Sequence, residues 1–99
     1  MKKATGKVIK TFRKHLGYTQ EFLATEINVT TRTIENIENG KVSVDVEKIH
    51  KIAKLFKIRS GLILELAAEI VDTEDNMALE TAVKQLRPVY TKEDLEGMN

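Results

Sequence analysis

The chain has 99 residues, 41% of them apolar, with one Pro, no Trp and no Cys. That length holds one small domain with a modest core and a short appended element, and not two enzyme-sized domains. Without Cys there is no disulfide framework, thiol nucleophile or Cys-ligated zinc or iron–sulfur centre, which fits a cytoplasmic location.

The net charge of +1 conceals a division. Residues 1–59 hold 13 Lys+Arg against 6 Asp+Glu, a net of +7, and residues 60–99 hold 3 against 9, a net of −6. A basic half beside an acidic half suggests one end facing a polyanion and the other facing away. The N-terminus is basic, and charges interrupt the apolar positions after it, so neither a secretory signal core nor a membrane span is expected.

Val8, Ile9, Phe12 and Leu16 recur at helical spacing and predict a first helix over 6–16, stopped by Gly17. His15, near its end, sits where the helix dipole favours a cation and needs no metal or catalytic role. A second helix over 20–27 follows a hydroxyl cap at Thr19, with Phe22, Leu23 and Ile27 facing inward and Ala24 admitting a close neighbour. Its capping box is incomplete, because Phe22 stands where a Glu would reach back to the cap. Asn28 falls where the backbone must turn left-handed, which Asn tolerates better than most residues.

Thr30 caps a third helix over 31–39, stopped by Gly40. Ile34, Ile37 and the hydrocarbon of Glu38 face inward, while Thr31, Arg32, Glu35, Asn36 and Asn39 face out. Two short capped helices joined by a tight turn spell a helix-turn-helix. The outer face of the second is polar and begins at a helix N-terminus with unpaired donors, which suits a DNA surface.

Asp45 caps a fourth helix over 46–56, with Val46, Ile49, Ile52, Ala53 and Phe56 inward and Leu55 at the edge. Lys48, Lys51, Lys54 and Lys57 spread positive charge around it, and His50 is a structural or surface residue. Ser60 is expected to cap a fifth helix over 61–71, in which only Glu65 and Glu69 are polar. A helix apolar on nearly all sides points to a subunit interface through Leu62, Leu66 and Ile70; packing against the C-terminal segment of the same chain is the alternative. Asp72 to Asp75 mark the start of a sixth helix running to about Leu86 with Leu79, Ala82, Val83 and Leu86 inward, ended by Pro88. Beyond Val89, Thr91 and Asp94 allow a short helical turn or a disordered tail.

Tyr18-Thr19-Gln20-Glu21, Leu23-Ala24, Ile27 to Thr30, Thr33-Ile34 and Ile37 to Gly40, continuing to Ile49, Ile52 to Phe56 and Ile58, resemble the helix-turn-helix of the phage repressor and Cro family, the XRE family. The likeness covers about residues 6–66. It implies an all-α, five-helix repressor-like DNA-binding bundle, here with an additional C-terminal helix, acting on double-stranded DNA as a homodimer. The chain then divides into a DNA-binding domain, 1–71, and a dimerisation or partner-binding extension, 72–99.

Carried across by position, the resemblance gives Gln20 a phosphate contact that braces the recognition helix. Thr31, Arg32 and Asn36 become base readers, with Thr30 and Thr33 near the backbone and Glu35 beside them. Arg32 suits guanine O6 and N7, Asn36 suits adenine N6 and N7, and a threonine methyl suits thymine. Asn39 and Lys41 match phosphate contacts, and Arg13 and Glu38 match a structural ion pair. The family often has Pro where Val44 stands and Gly where Lys57 stands. The loop after the third helix has no Arg like the one some relatives insert into the minor groove.

No phosphate loop, nucleophile elbow, metal-ligand spacing or dinucleotide turn is present in the sequence, so no enzyme, metal or cofactor is expected. Within DNA binding, a stand-alone repressor, a restriction–modification controller and a toxin–antitoxin antitoxin compete; the last would hold its toxin through the acidic C-terminal region. A protein-interaction module on the same fold is a further alternative. The residues left over hold no ligand-sensing domain.

Overall fold

The computed structural model describes residues 1–86, and these form six helices and no strand. They are α1 (Lys2–His15), α2 (Gln20–Glu26), α3 (Thr31–Glu38), α4 (Val46–Phe56), α5 (Ser60–Thr73) and α6 (Met77–Lys84). The architecture is the expected five-helix bundle with one helix added. Pro88 and the tail after Val89 lie outside the described residues.

Helix α1 is the hub, packing against α3, α4, α5 and α6, while α2 packs on α3 and α4 on α5. Val8, Ile9 and Phe12 of α1 are fully buried, as are Leu23, Ile52 and Ile63 of three other helices. Phe12, Phe56 and Tyr18 stack in series with ring centroids 6.1 and 6.3 Å apart. Leu79 and Val83 bring α6 into the same core, so the expected boundary after residue 71 falls inside α5.

Four successive helices end in the same way. The left-handed residues are Gly17, Asn28, Gly40 and Lys57, with φ of 80°, 59°, 72° and 60°. After each, the next N–H returns to a carbonyl one turn back: Tyr18 to Arg13, Val29 to Ala24, Lys41 to Asn36 and Ile58 to Ala53. This 6→1 closure satisfies carbonyls that a helix end leaves open and reverses the chain tightly. Asn28 takes the backbone expected of it. Lys57 takes the same one without a glycine's freedom.

Helix starts follow side-chain caps at three places: Thr19 Oγ1 accepts from Phe22 N at 3.0 Å, Thr30 Oγ1 from Thr33 N at 3.1 Å, and Asp45 Oδ1 from Lys48 N at 2.8 Å. Three other expectations fail. Ser60 is the first residue of α5, after Arg59, and its hydroxyl lies 3.1 Å from His50 Nδ1, so it does not cap. Asp72 and Thr73 belong to α5, and α6 begins later, with Asp75 Oδ1 accepting from Met77 N at 3.0 Å. Helix α1 begins four residues early, because Ala4, Thr5 and Gly6 are buried. A Cβ on Gly6 would stand 2.9 Å from the Glu38 carbonyl oxygen and closer still to that of Ile37, so a smaller residue lets α1 press on the end of α3.

Two side chains expected inside are outside. Phe22 is 41% exposed, its ring 4.9 Å from that of Tyr18, because Leu23, Ala24 and Ile27 already fill the inner side of α2. Val46 is 78% exposed, since it opens α4 and overhangs the core that Ile49, Ile52, Ala53 and Phe56 enter. Near the end of α1, His15 Nε2 meets the Leu86 carbonyl at 2.6 Å and ties α1 to the end of α6.

Candidate nucleic-acid interface

Helix α3 is fixed from three directions. At its start, the Thr30 hydroxyl accepts from the Thr33 backbone and lies 2.9 Å from the Thr33 hydroxyl. On its inner side Ile34 and Ile37 are buried. At its end Glu38 is 7% exposed and faces Arg13 of α1, 6% exposed. Arg13 Nε donates to Glu38 Oε2 at 2.6 Å and Nη2 to Oε1 at 3.0 Å. Arg13 Nη1 donates to the Tyr18 carbonyl at 2.7 Å, holding the turn into α2.

Gln20 joins this cluster: its Nε2 donates to Glu38 Oε1 at 3.0 Å. One carboxylate therefore takes donors from α1 and α2 while belonging to α3. A buried carboxylate bonded this fully is compatible with charge inside the bundle, whereas an unpaired one would be costly. No buried side-chain N or O among the described residues lacks a partner.

The opposite side of α3 is open. Arg32, Glu35 and Asn39 are exposed, and Thr31, Thr33 and Asn36 are half-buried, so the outward set is narrower than periodicity suggests. Thr30 and Lys41 are exposed at the two ends of the helix. Among the described residues, the side chains of Thr31, Arg32, Glu35, Asn36 and Asn39 make no intrachain hydrogen bond or ion pair.

Lys3 lies outside the helix-turn-helix pattern in the sequence, yet the fold brings it to the end of α3. A Cβ on Gly40 would come within 2.8 Å of the Lys3 Cα, so the start of α1 brings this exposed lysine beside Lys41 at the end of α3. The only available signal was the basic N-terminus, whose helical conformation depends on tertiary packing.

The expected interface residues of α5 do not act alike. Leu66 is 7% exposed and belongs to the core that α5 forms with α1, α4 and α6. Leu62 and Ile70 are half-buried at its edge. Among the described residues, no group of three or more His, Asp or Glu side chains is placed to hold a metal, and no helix is long and apolar enough to cross a membrane.

The arrangement is an all-helical bundle presenting a braced, polar helix after a tight turn. A solved structure of the clp gene regulator ClgR from Corynebacterium glutamicum superposes with a TM-score of 0.66 over 85% of this chain and 83% of that one, at 24% identity. At that identity the likeness speaks for the fold. The family model described as helix-turn-helix matches residues 9–63, and the chain belongs to the helix-turn-helix family of transcriptional regulators. An uncharacterized HTH-type transcriptional regulator of Methanothermobacter thermautotrophicus is 43% identical over 47 residues, 48% of this chain and 68% of that protein. Another from Archaeoglobus fulgidus is 39% identical over 51 residues, 52% of this chain and 73% of its own.

Proposed function

We propose that the chain is a sequence-specific, double-stranded DNA-binding repressor that works as a homodimer and lays α3 in the major groove. The observation that carries this is the division of α3 into a braced inner side and an outer side on which the side chains of Thr31, Arg32, Glu35, Asn36 and Asn39 have no partner among the described residues. Side chains held on a rigid helix and left unpaired meet base edges at low ordering cost.

In this reading Thr31, Arg32 and Asn36 contact bases, with Glu35 beside them. Thr30, Thr33, Asn39 and Lys41 set the register on phosphates. Gln20 offers a phosphate only what its bond to Glu38 leaves free, which makes bracing the larger part of its role. Lys3 joins the phosphate contacts beside Lys41. Two copies read a two-fold symmetric site with half-sites about one helical turn apart.

The test is selection from random duplexes followed by the binding stoichiometry of the winning site. The reading requires an enriched, two-fold symmetric sequence that binds two chains and weakens steeply with salt. Enrichment of no sequence would overturn it.

A further inference from the structure

The fold demands a glycine at position 40. Its φ of 72° is left-handed, and an added Cβ would stand 2.8 Å from the Lys3 Cα and 2.6 Å from its Cγ. The residue before it is Asn39, so the sole Asn-Gly pair of the sequence ends α3. The backbone nitrogen after an Asn attacks the side-chain amide most readily when it belongs to glycine, because no Cβ crowds the approach. Asn28, Asn36 and Asn76 precede the bulkier Val29, Ile37 and Met77.

Asn39 is exposed, and its side chain makes no hydrogen bond among the described residues. Its backbone is helical, at φ −84° and ψ −1°, and Gly40 N donates to the Ile37 carbonyl at 3.1 Å. The imide ring that the attack forms cannot close at a helical ψ. Rotation about the Asn39 Cα–C bond breaks two backbone hydrogen bonds, Gly40 to Ile37 and Lys41 to Asn36, and leaves Glu38 held by Arg13. No backbone N–H of residues 42–44 donates to another backbone group among the described residues. This helix end therefore opens at a fraction of the stability of the bundle.

We propose that Asn39-Gly40 is a self-modifying site, at which opening of the end of α3 turns the asparagine into aspartate or isoaspartate and lowers the affinity of the chain for DNA. The loss of affinity rests on the DNA reading above; the chemistry does not. Gly40 N gives its proton to solvent base and attacks Asn39 Cγ, the Cγ–Nδ2 bond breaks, and the amide leaves as ammonia. Water then opens the imide at either carbonyl, and nothing is oxidised or reduced. Either product puts a negative charge near Lys3 and Lys41, at the negative end of the helix dipole, where it opposes both the helix end and a phosphate. Isoaspartate also lengthens the backbone inside the turn that the Lys41 bond to Asn36 closes.

The test ages the full chain at mildly alkaline pH and maps the exchange of ammonia for water by peptide mass spectrometry. Asn39 should convert ahead of Asn28, Asn36 and Asn76, at a rate about 10- to 10³-fold below that of the chain unfolded in urea, the span of a local opening. Asn39→Gln, whose longer side chain closes the ring poorly, should stay intact at this position. Aged wild type should bind the selected duplex about tenfold or more weakly than fresh protein. Aged Asn39→Gln should bind like fresh Asn39→Gln.

Conversion as fast folded as unfolded, no conversion over about 10³ unfolded half-lives, or faster conversion at another Asn overturns the site. A converted chain that binds as tightly as a fresh one overturns its effect on DNA. Fresh wild type that binds no selected duplex defeats the DNA reading instead, and leaves the conversion standing.

Discussion

Arg13 and Glu38, 25 positions apart, neutralise each other inside the bundle, and Glu38 Oε1 receives Gln20 at 3.0 Å as well as Arg13. Removing one partner strands the other. Glu38→Ala should cost roughly 3–5 kcal/mol in urea denaturation, the range for a broken buried pair. The double replacement Arg13→Met with Glu38→Leu should recover much of that loss. A Glu38→Ala protein as stable as wild type would show that the pair contributes nothing.

Gly6 gives a second measure of how closely α1 presses on α3. Its added Cβ would meet backbone carbonyls of Ile37 and Glu38, which cannot swing aside as a side chain can. Gly6→Ala should therefore destabilise by about 1–3 kcal/mol despite alanine's better helix propensity. A gain in melting temperature would mean that α1 can move away from α3 at little cost.

Lys57 offers the opposite case. Its φ of 60° is left-handed, a conformation that costs a non-glycine residue about 1–2 kcal/mol, partly offset by the greater freedom glycine has when unfolded. Lys57→Gly should stabilise by about 0.5–1 kcal/mol, seen as a rise of several degrees in thermal unfolding. A lower Tm would reveal a stabilising role for the lysine side chain.

Asp45 carries an acid-dependent contribution. The side-chain hydrogen bond from Lys48, followed by the Lys48 backbone N–H, holds its carboxyl below the ordinary value of 3.8. A depressed folded pKa gives stability that is complete above the unfolded value and disappears as pH falls through the folded one. The stability gap between wild type and Asp45→Ala should hold steady at neutral pH and shrink below pH 3.8. A gap that stays constant through acid would assign the cap's effect to uncharged interactions.

Arg32 tests the reading surface without disturbing the core, since it is exposed and has no intrachain partner among the described residues. Arg32→Ala should cost about 1–3 kcal/mol on the selected site and far less on random duplex. Equal losses on both would make it a phosphate contact.

The helix-turn-helix was legible because its signals are local. Thr19, Thr30 and Asp45 cap within their own first turns, and Asn28 and Gly40 mark left-handed ends. What escaped depends on contacts distant in sequence. Residues 2–5 extend α1 ahead of the predicted start, where Ala4 and Thr5 are buried, and the Ser60 hydroxyl pairs with His50 ten residues earlier. Phe22 and Val46 have core chemistry but stand where no neighbouring helix covers them. The inward side of α5 was illegible because the helix is apolar all round; only the positions of α1, α4 and α6 show that Leu66 is internal and Leu64 is not.

The clamp at Glu38 has a consequence for how such a chain can be altered. Arg13, Gln20 and Glu38 hold three helices together, while the side chains of Arg32, Glu35 and Asn39 bond to nothing among the described residues. On the proposed DNA-reading role, the residue of α3 that holds the architecture, Glu38, and those that would set a preference are different residues on one short helix. Preference can drift or be redesigned by exchanging the outward side chains, with the scaffold's stability left almost unchanged.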